Sequence, residues 1–426
     1  MTVPISQLVR IEKPIYGGAF LARLEGKAVF VPLALPGEEA RVRIVDNKKG
    51  YATAEVEEIV SASPERIAPR CPYFGPCGGC NYQHAGYETQ LAFKQAILRE
   101  TFARAGVELS GEISVLAGDP WAYRNRVRLA FDSAGSPGYR GRRSHAVIPI
   151  TQCPIAAPSL IEVALAFAEI RRNLAPALRV GELSLFSNAD ESEILASISI
   201  PHRTKLDLAR VGGSLRERVP ALTGIELMLE SQGRDQAATL ARWGAESLVY
   251  HAAGMGYRVD HGAFFQVNRW LVDPLVGQVT AGHTGGLAWD LFAGVGLFAR
   301  RLAAGFNHVI AVESAPTAIA ALKANLSGTA AEAVALPALD FLRRNRAASP
   351  DLIVIDPPRS GLGAETTDQL SAIAAPAIVY VSCDPATLAR DLRALTAAGY
   401  ILHAITLADL FPQTFHLETI VELRHA

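Results

Sequence analysis

With 426 residues and 45.5 kDa, the chain has the length for two or three domains. Its 41 Lys and Arg nearly balance 42 Asp and Glu, and a charged fraction of 19%, below the roughly 25% of an average soluble protein, excludes pervasive disorder. Uncharged runs such as Ala146–Ile161 and Leu370–Cys383 are broken by proline, none reaches the ~18 apolar residues of a membrane span, and MTVPISQLVRIEK lacks an apolar leader core, so the expected location is the cytoplasm.

The first 60 residues predict a small all-β unit. AFLARLEG, KAVFVPLAL, EARVRIVD and TAEVEEIV are short β-rich runs separated by Gly26-Lys27, Pro36-Gly37 and Asn47–Gly50. Strands at this spacing favour a five-stranded barrel of the oligonucleotide-binding kind, closed at Ser61–Pro64. A cysteine-rich turn, Cys71–Cys80, precedes a helix from about His84 to Ala105 that Gly106 stops. Residues 1–150 hold 19 Lys and Arg against 15 Asp and Glu, whereas 151–426 hold 22 against 27. Between Pro120 and His145 stand Arg124, Arg126, Arg128, Arg140, Arg142 and Arg143 against the single acid Asp132. That stretch reads either as footing for a polyanion or as a salt-bridged surface.

Residues 120–260 mix strands (Val127–Phe131, Ile194–Ile200, Gly224–Leu229) with a helix near Leu160–Arg172, which reads as an α+β domain. From about Phe264, apolar strands at Leu287–Leu291, His308–Val312, Leu352–Ile355 and Ala377–Val381 alternate with helical stretches, the mark of a doubly wound parallel sheet. Ile401–Leu407 and Phe415–Leu423 predict a closing antiparallel hairpin. The expected units are 1–62, 63–262 and 263–426.

In Trp289–Phe298 a strand runs into the glycine turn Ala293-Gly294-Val295-Gly296 and then a helix. Such glycines let backbone approach a ligand at a helix N-terminus. The next strand ends in Glu313, where a carboxylate can accept both hydroxyls of a ribose. An adenosine-type cofactor follows, either a dinucleotide or S-adenosylmethionine. Two later motifs favour the second. An apolar strand delivers Asp356-Pro357-Pro358-Arg359 to the carboxyl edge of the sheet, and the next strand delivers Ser382-Cys383-Asp384-Pro385 to the same edge. Arg359 replaces the aromatic residue that would suit exocyclic-amine chemistry. Cys383, just before a helix, is expected to be an activated thiol. A thiolate that adds to carbon 6 of a pyrimidine makes carbon 5 nucleophilic, and a base must afterwards remove the carbon-5 proton. Glu418 is the candidate base, with His416 expected two residues earlier on the same strand face.

These residues resemble the S-adenosylmethionine-dependent RNA uracil-5-methyltransferases, and within them the iron–sulfur-containing 23S rRNA branch. Nearly the whole chain takes part: FFQVN (Phe264–Asn268), DLFAGVG (Asp290–Gly296), DPPRSGL (Asp356–Leu362), SCDP (Ser382–Pro385) and HLET (His416–Thr419) stand in the family's order. The resemblance implies an α/β fold with a Rossmann-like class I methyltransferase domain at the C-terminus, a TRAM barrel at the N-terminus and a central α+β domain. It assigns Cys383 as nucleophile and Glu418 as base, and Gln266, Phe292, Gly294, Glu313, Asp340 and Asp356 to the S-adenosyl-L-methionine site. Leu297 departs from the polar residue many members carry there. Phe264 is either a base-stacking aromatic or core.

Cys71, Cys77, Cys80 and Cys153 form a four-thiol set. Disulfides are disfavoured in a cytosolic chain, while zinc and an iron–sulfur cluster both accept four cysteines. The spacing matches the family pattern that carries a [4Fe–4S] cluster, which implies a structural cluster beside an RNA-binding surface and 23S rRNA as partner. The bacterial transfer-RNA enzyme of the family lacks the set. An NAD-dependent oxidoreductase would leave DPPR, SCDP and Glu418 without roles, and a plain RNA-binding module would leave Cys383 without one.

Overall fold

Alternation closes the N-terminal segment on itself. In the computed structural model, which describes residues 6–109, 111–175, 178–230 and 238–425, β1 (Ser6–Pro14), β2 (Ala19–Leu24), β3 (Lys27–Pro32), β4 (Glu39–Asn47) and β5 (Tyr51–Ser61) form a closed barrel in the order β1-β2-β3-β5-β4. The first five residues, part of the segment read above for a leader, lie outside the described set. Val9, Ile11, Phe20, Val29, Val31 and Val42 point inward and are buried, and the intervening side chains face outward. The barrel is the expected five-stranded one, with β1 preceding the four β-rich runs.

Next come α1 (Tyr87–Ala105), β6 (Ser114–Leu116), β7 (Arg126–Phe131), β8 (Pro137–Arg140), β9 (Val147–Pro149), α2 (Pro158–Leu174), β10 (Glu182–Ser187), β11 (Ile194–Ile200), α3 (Leu208–Arg218), β12 (Leu222–Leu229) and β13 (Ala238–Gly244). Gly106 ends α1 in the left-handed conformation, φ 72°, where its N–H bonds back to the last turn. Seven of these strands make one sheet, β13-β12-β11-β10-β7-β8-β9, antiparallel except for β11 beside β12. The apolar faces of α2 and α3 cover it: Leu160, Val163, Phe167, Val211 and Leu215 pack on Val127, Leu185, Ile198 and Ile225.

The hairpin β14 (Ser247–Ala252) and β15 (Met255–Asp260) leads through α4 (Val272–Thr280) into β16 (Gly285–Leu291), α5 (Leu297–Leu302), β17 (Phe306–Glu313), α6 (Pro316–Leu326), β18 (Ala331–Ala335), α7 (Ala338–Arg344), β19 (Leu352–Ile355), α8 (Ala364–Ile373), β20 (Ala377–Ser382), α9 (Pro385–Ala397), β21 (Tyr400–Ala408) and β22 (Glu418–His425). The sheet order is β18-β17-β16-β19-β20-β22-β21-β6, with β18 to β20 parallel and β22 antiparallel to both neighbours. One face is covered by α4, α5 and α6 with the β14–β15 hairpin, the other by α1, α7, α8 and α9. Strands with four to six consecutive buried residues, such as Leu352–Ile355 and Ala377–Ser382, follow from burial on both faces. Packing crosses the expected boundary at 262/263, because α1 and β6 join the last sheet's layers. Among the described residues no helix is long and apolar enough to cross a membrane.

Candidate active site

The glycine turn is built from β16. Asp290 is fully buried; one carboxylate oxygen accepts from Ala299 N at 2.8 Å and the other has no partner in the structure. Burial, reinforced by the charges of Asp356 and Glu313, pushes its carboxyl up to about 8 against the opposing Ala299 N–H bond. Phe292 stands at φ 64°, an uncommon conformation for a bulky side chain, followed by Gly294 at φ 57° and Gly296 at φ 90°. A Cβ on Gly296 would come within 2.9 Å of Leu322, so only glycine lets the turn lie on α6. The Glu313 carboxylate accepts from Gly294 N at 2.8 Å and from Ser314 N and Ala315 N at 2.7 and 2.6 Å. Backbone thus fixes this acid against the turn, and its carboxylate keeps lone-pair capacity for a further donor. Leu297 is buried, and its carbonyl accepts from the Tyr257 hydroxyl.

Gln266 is buried and donates to Asp356 across 3.5 Å, joining FFQVN to the end of β19. Asp340 stands apart, in the first turn of α7 and 3.9 Å from Arg343, with no hydrogen bond to the other candidates among the described residues. Phe264 is 61% exposed, so of its two expected roles the core one is overturned.

Cys383 and Glu418 are 35 residues apart in sequence, and the sheet brings them together. Antiparallel pairing of β20 with β22 sets Ser382 against Thr419, and the same register carried one step further sets Cys383 against Glu418. Burial raises the Glu418 carboxyl well above the ordinary range, Asp356 adds to the rise and Arg359 opposes it. Burial also pushes Asp356 up to about 7 and the Cys383 thiol up to about 11, with Glu418 and Asp356 adding and Arg359 opposing. Helix activation of the thiol is therefore corrected: Asp384, not Cys383, caps α9, accepting from Ala386 N and Thr387 N at 3.0 and 2.9 Å. The nearby cation is Arg359. His416 lies outside β22, which begins at Glu418, so it shares no strand face with that residue. Its ring packs between Phe411 and Phe415 and faces Arg359 at 3.5 Å. Burial, with Arg359, Arg124 and Lys94, holds His416 down at about 4 and hence neutral. Tyr16, from the barrel turn, packs edge-on against Phe415 and faces Asp384. Nothing in the local sequence signals that reach, since only the docking of the barrel creates it.

The four cysteines line one cavity of about 80 Å³ together with Arg124, Gln83 and Tyr139. Burial raises the thiols of Cys71, Cys77 and Cys80, and the neighbouring Cys153 adds to the rise. Among the described residues no three acids, histidines or cysteines are drawn close enough to form a metal-binding group. The donor set is four soft sulfurs around one void, which fits an iron–sulfur or a zinc centre chemically.

The arginine stretch divides. Arg124 is half-buried beside Cys80 and Phe411, Arg126 stacks on Phe186 at 4.2 Å, and Arg142 donates to the carbonyls of Gly75 and Cys80. Arg128 is paired with Glu182. Only Arg140 and Arg143 of the six stand exposed without an ion pair among the described residues. The alternation of a strand accounts for part of this, because Arg126 and Arg128 fall on β7, whose sheet neighbours claim them.

Known proteins bear on this arrangement. The sequence model of the tRNA (uracil-5-)-methyltransferase family matches residues 345–426, and that of the TRAM domain matches residues 6–56. The 23S rRNA (uracil(1939)-C(5))-methyltransferase RlmD of Shewanella amazonensis is 32% identical over 96% of this chain and 94% of its own. That of Halomonas elongata is 34% identical over 96% and 88%, and an uncharacterized RNA methyltransferase of Thermotoga maritima is 32% identical over 97% and 98%. The crystal structure of the Pyrococcus abyssi tRNA (uracil-54, C5)-methyltransferase with S-adenosyl-L-homocysteine superposes with a TM-score of 0.76, covering 98% of this chain and 100% of that one at 23% identity, a likeness of fold. A TRAM-type barrel, a doubly wound sheet with its glycine turn, and full-length identity above 30% place this chain in the TRAM-containing, S-adenosylmethionine-dependent RNA uracil-5-methyltransferase family.

Proposed function

We propose that the protein methylates carbon 5 of one specific uridine in 23S rRNA through a covalent bond between Cys383 and carbon 6. The observation that carries this reading is the β20–β22 register, which opposes Cys383 and Glu418 at the sheet edge where Gln266 meets Asp356. S-adenosyl-L-methionine supplies an electrophilic methyl group, and Gln266, Phe292, Gly294, Glu313, Asp340 and Asp356 are the residues assigned to hold it. Cys383, once ionised, adds to carbon 6 and turns carbon 5 into a nucleophile. Arg359 favours that thiolate and the ionised Glu418 alike. Once carbon 5 has bonded the methyl group it carries both that group and its original proton; ionised Glu418 takes the proton, and the sulfur leaves carbon 6 with the carbon–sulfur electron pair as the ring double bond re-forms.

Cys71, Cys77, Cys80 and Cys153 hold a structural [4Fe–4S] cluster in this reading, supported by their shared cavity. Relatives named as 23S rRNA enzymes, matched over 94% and 88% of their length, favour ribosomal RNA; the family matched at 345–426 bears a transfer-RNA name, which keeps tRNA as the second reading. Incubating the protein and labelled methyl donor with RNA from a deletion strain tests both. Wild type should restore 5-methyluridine at one 23S rRNA position. Cys383→Ala should transfer no methyl, and Glu418→Gln should stall as a labelled protein–RNA adduct that survives denaturing electrophoresis. Label entering tRNA instead selects the second reading, and full turnover by Glu418→Gln removes Glu418 as the base.

A further inference from the structure

We infer that the cleft between the Arg70–Trp121 pair and the start of α2 receives an unstacked base of the substrate RNA, next to the target uridine along the strand. The inference rests on RNA being the substrate, as proposed above. The cleft is a cavity of about 380 Å³ presenting Trp121 and Ile161 as its apolar surfaces and Arg70, Thr151, Gln152 and Glu162 as polar ones. The Arg70 guanidinium lies 5.1 Å over the Trp121 ring. Arg70 is exposed and has no carboxylate partner among the described residues, so its charge is available to a phosphate. A planar cation over an indole is a surface on which any base can stack, and single-stranded RNA is the ligand that brings a flat π face and a negative charge together. Thr151 and Gln152 can donate to and accept from a base edge, and Glu162 can accept from an exocyclic amine.

One loop ties the rim of the cleft to the segment that carries Gln266. Trp270, 41% exposed, donates its indole N–H to the Trp121 carbonyl at 3.0 Å, and Arg269 lies 4.2 Å over the Trp270 ring. That loop begins at the exposed Phe264 and passes through Gln266, which meets Asp356. The cleft also borders the cysteine cavity: Gln152, Cys153 and Pro154 line both, and Arg70 directly precedes Cys71. The cleft and the cysteine cavity thus share one wall.

Titrating the full chain with a single-stranded oligoadenylate while reading tryptophan emission tests this. Binding should quench wild type, and Trp121→Phe should keep affinity within a few-fold but lose most of the quench. Trp121→Ala should weaken RNA binding by roughly tenfold or more with S-adenosylmethionine affinity unchanged, and Arg70→Ala should lower the log–log salt slope by about one. Equal quenching of wild type and Trp121→Phe would overturn the inference, as would full RNA affinity in Trp121→Ala. Wild type that binds 23S rRNA but not the oligoadenylate would also overturn it, and wild type that binds neither would instead remove RNA as the substrate.

Discussion

At the scale of single residues the site is a concentration of acids that are costly to ionise together. Asp290, Asp356 and Glu418 are all raised by burial, and the charge of Asp356 raises Asp290 and Glu418 further. Asp290 gives a direct consequence for stability. Its folded carboxyl titrates near 8 while the unfolded one titrates in the ordinary range near 4. Below the unfolded value both states hold the proton and no penalty exists. As pH rises toward 8 the unfolded state releases a proton that the folded state retains, so stability falls across that window and levels off above it. Asp290→Asn keeps an oxygen for Ala299 N–H and has no proton to lose. Its advantage in denaturant unfolding should be near zero at about pH 4 and grow to a few kcal/mol by about pH 8. A pH-independent difference would mean that Asp290 is not the buried acid it is taken to be.

At the scale of elements, the segment between β21 and β22 ties several units together. Tyr82 N and Asn81 N donate to the Gln413 carbonyl, Gln90 exchanges hydrogen bonds with Gln413, the Tyr123 hydroxyl donates to Pro412, and Asn268 donates to the carbonyls of Asp409 and Leu410. Lys94 of α1, fully buried, donates to Asp409 at 2.5 Å and to the Phe411 carbonyl at 3.0 Å. Removing one partner of such a pair strands a charge in the interior at about 3–5 kcal/mol. Lys94→Met should therefore lower stability by about that much in chemical unfolding, and Lys94→Met with Asp409→Leu should recover most of the loss. An additive double variant would show that the two groups do not act as a pair. Periodicity made most elements legible: Ile194–Ile200 and Leu352–Ile355 are found with the expected bounds, and Gly106 ends α1. It could not show this hub, whose partners lie from 141 to more than 300 residues apart and carry no local pattern.

For the molecule as a whole, the four cysteines bring segments far apart in the chain to one cavity. Cys71, Cys77 and Cys80 lie between the barrel and α1, and Cys153 lies on the loop between β9 and α2. A cluster held by all four would close a loop of more than 80 residues between Cys71 and Cys153. Anaerobically purified protein should then be brown and hold about four irons, and Cys77→Ser should lose colour and iron together with thermal stability while keeping S-adenosylmethionine affinity. Colourless protein with stoichiometric zinc would overturn the cluster.

The sequence by itself determined the fold class and the motifs, because alternation, glycine turns and strand-end residues are local consequences of backbone geometry and burial. It also named Cys383 and Glu418, one at a strand end and one on the last strand. Tertiary structure alone decided that these two face each other, that Asp384 takes the N-terminus of α9, and that Arg126 and Arg128 are claimed by Phe186 and Glu182. Those outcomes depend on strand register and on the docking of one unit against another, and register is set by contacts between residues far apart in the chain.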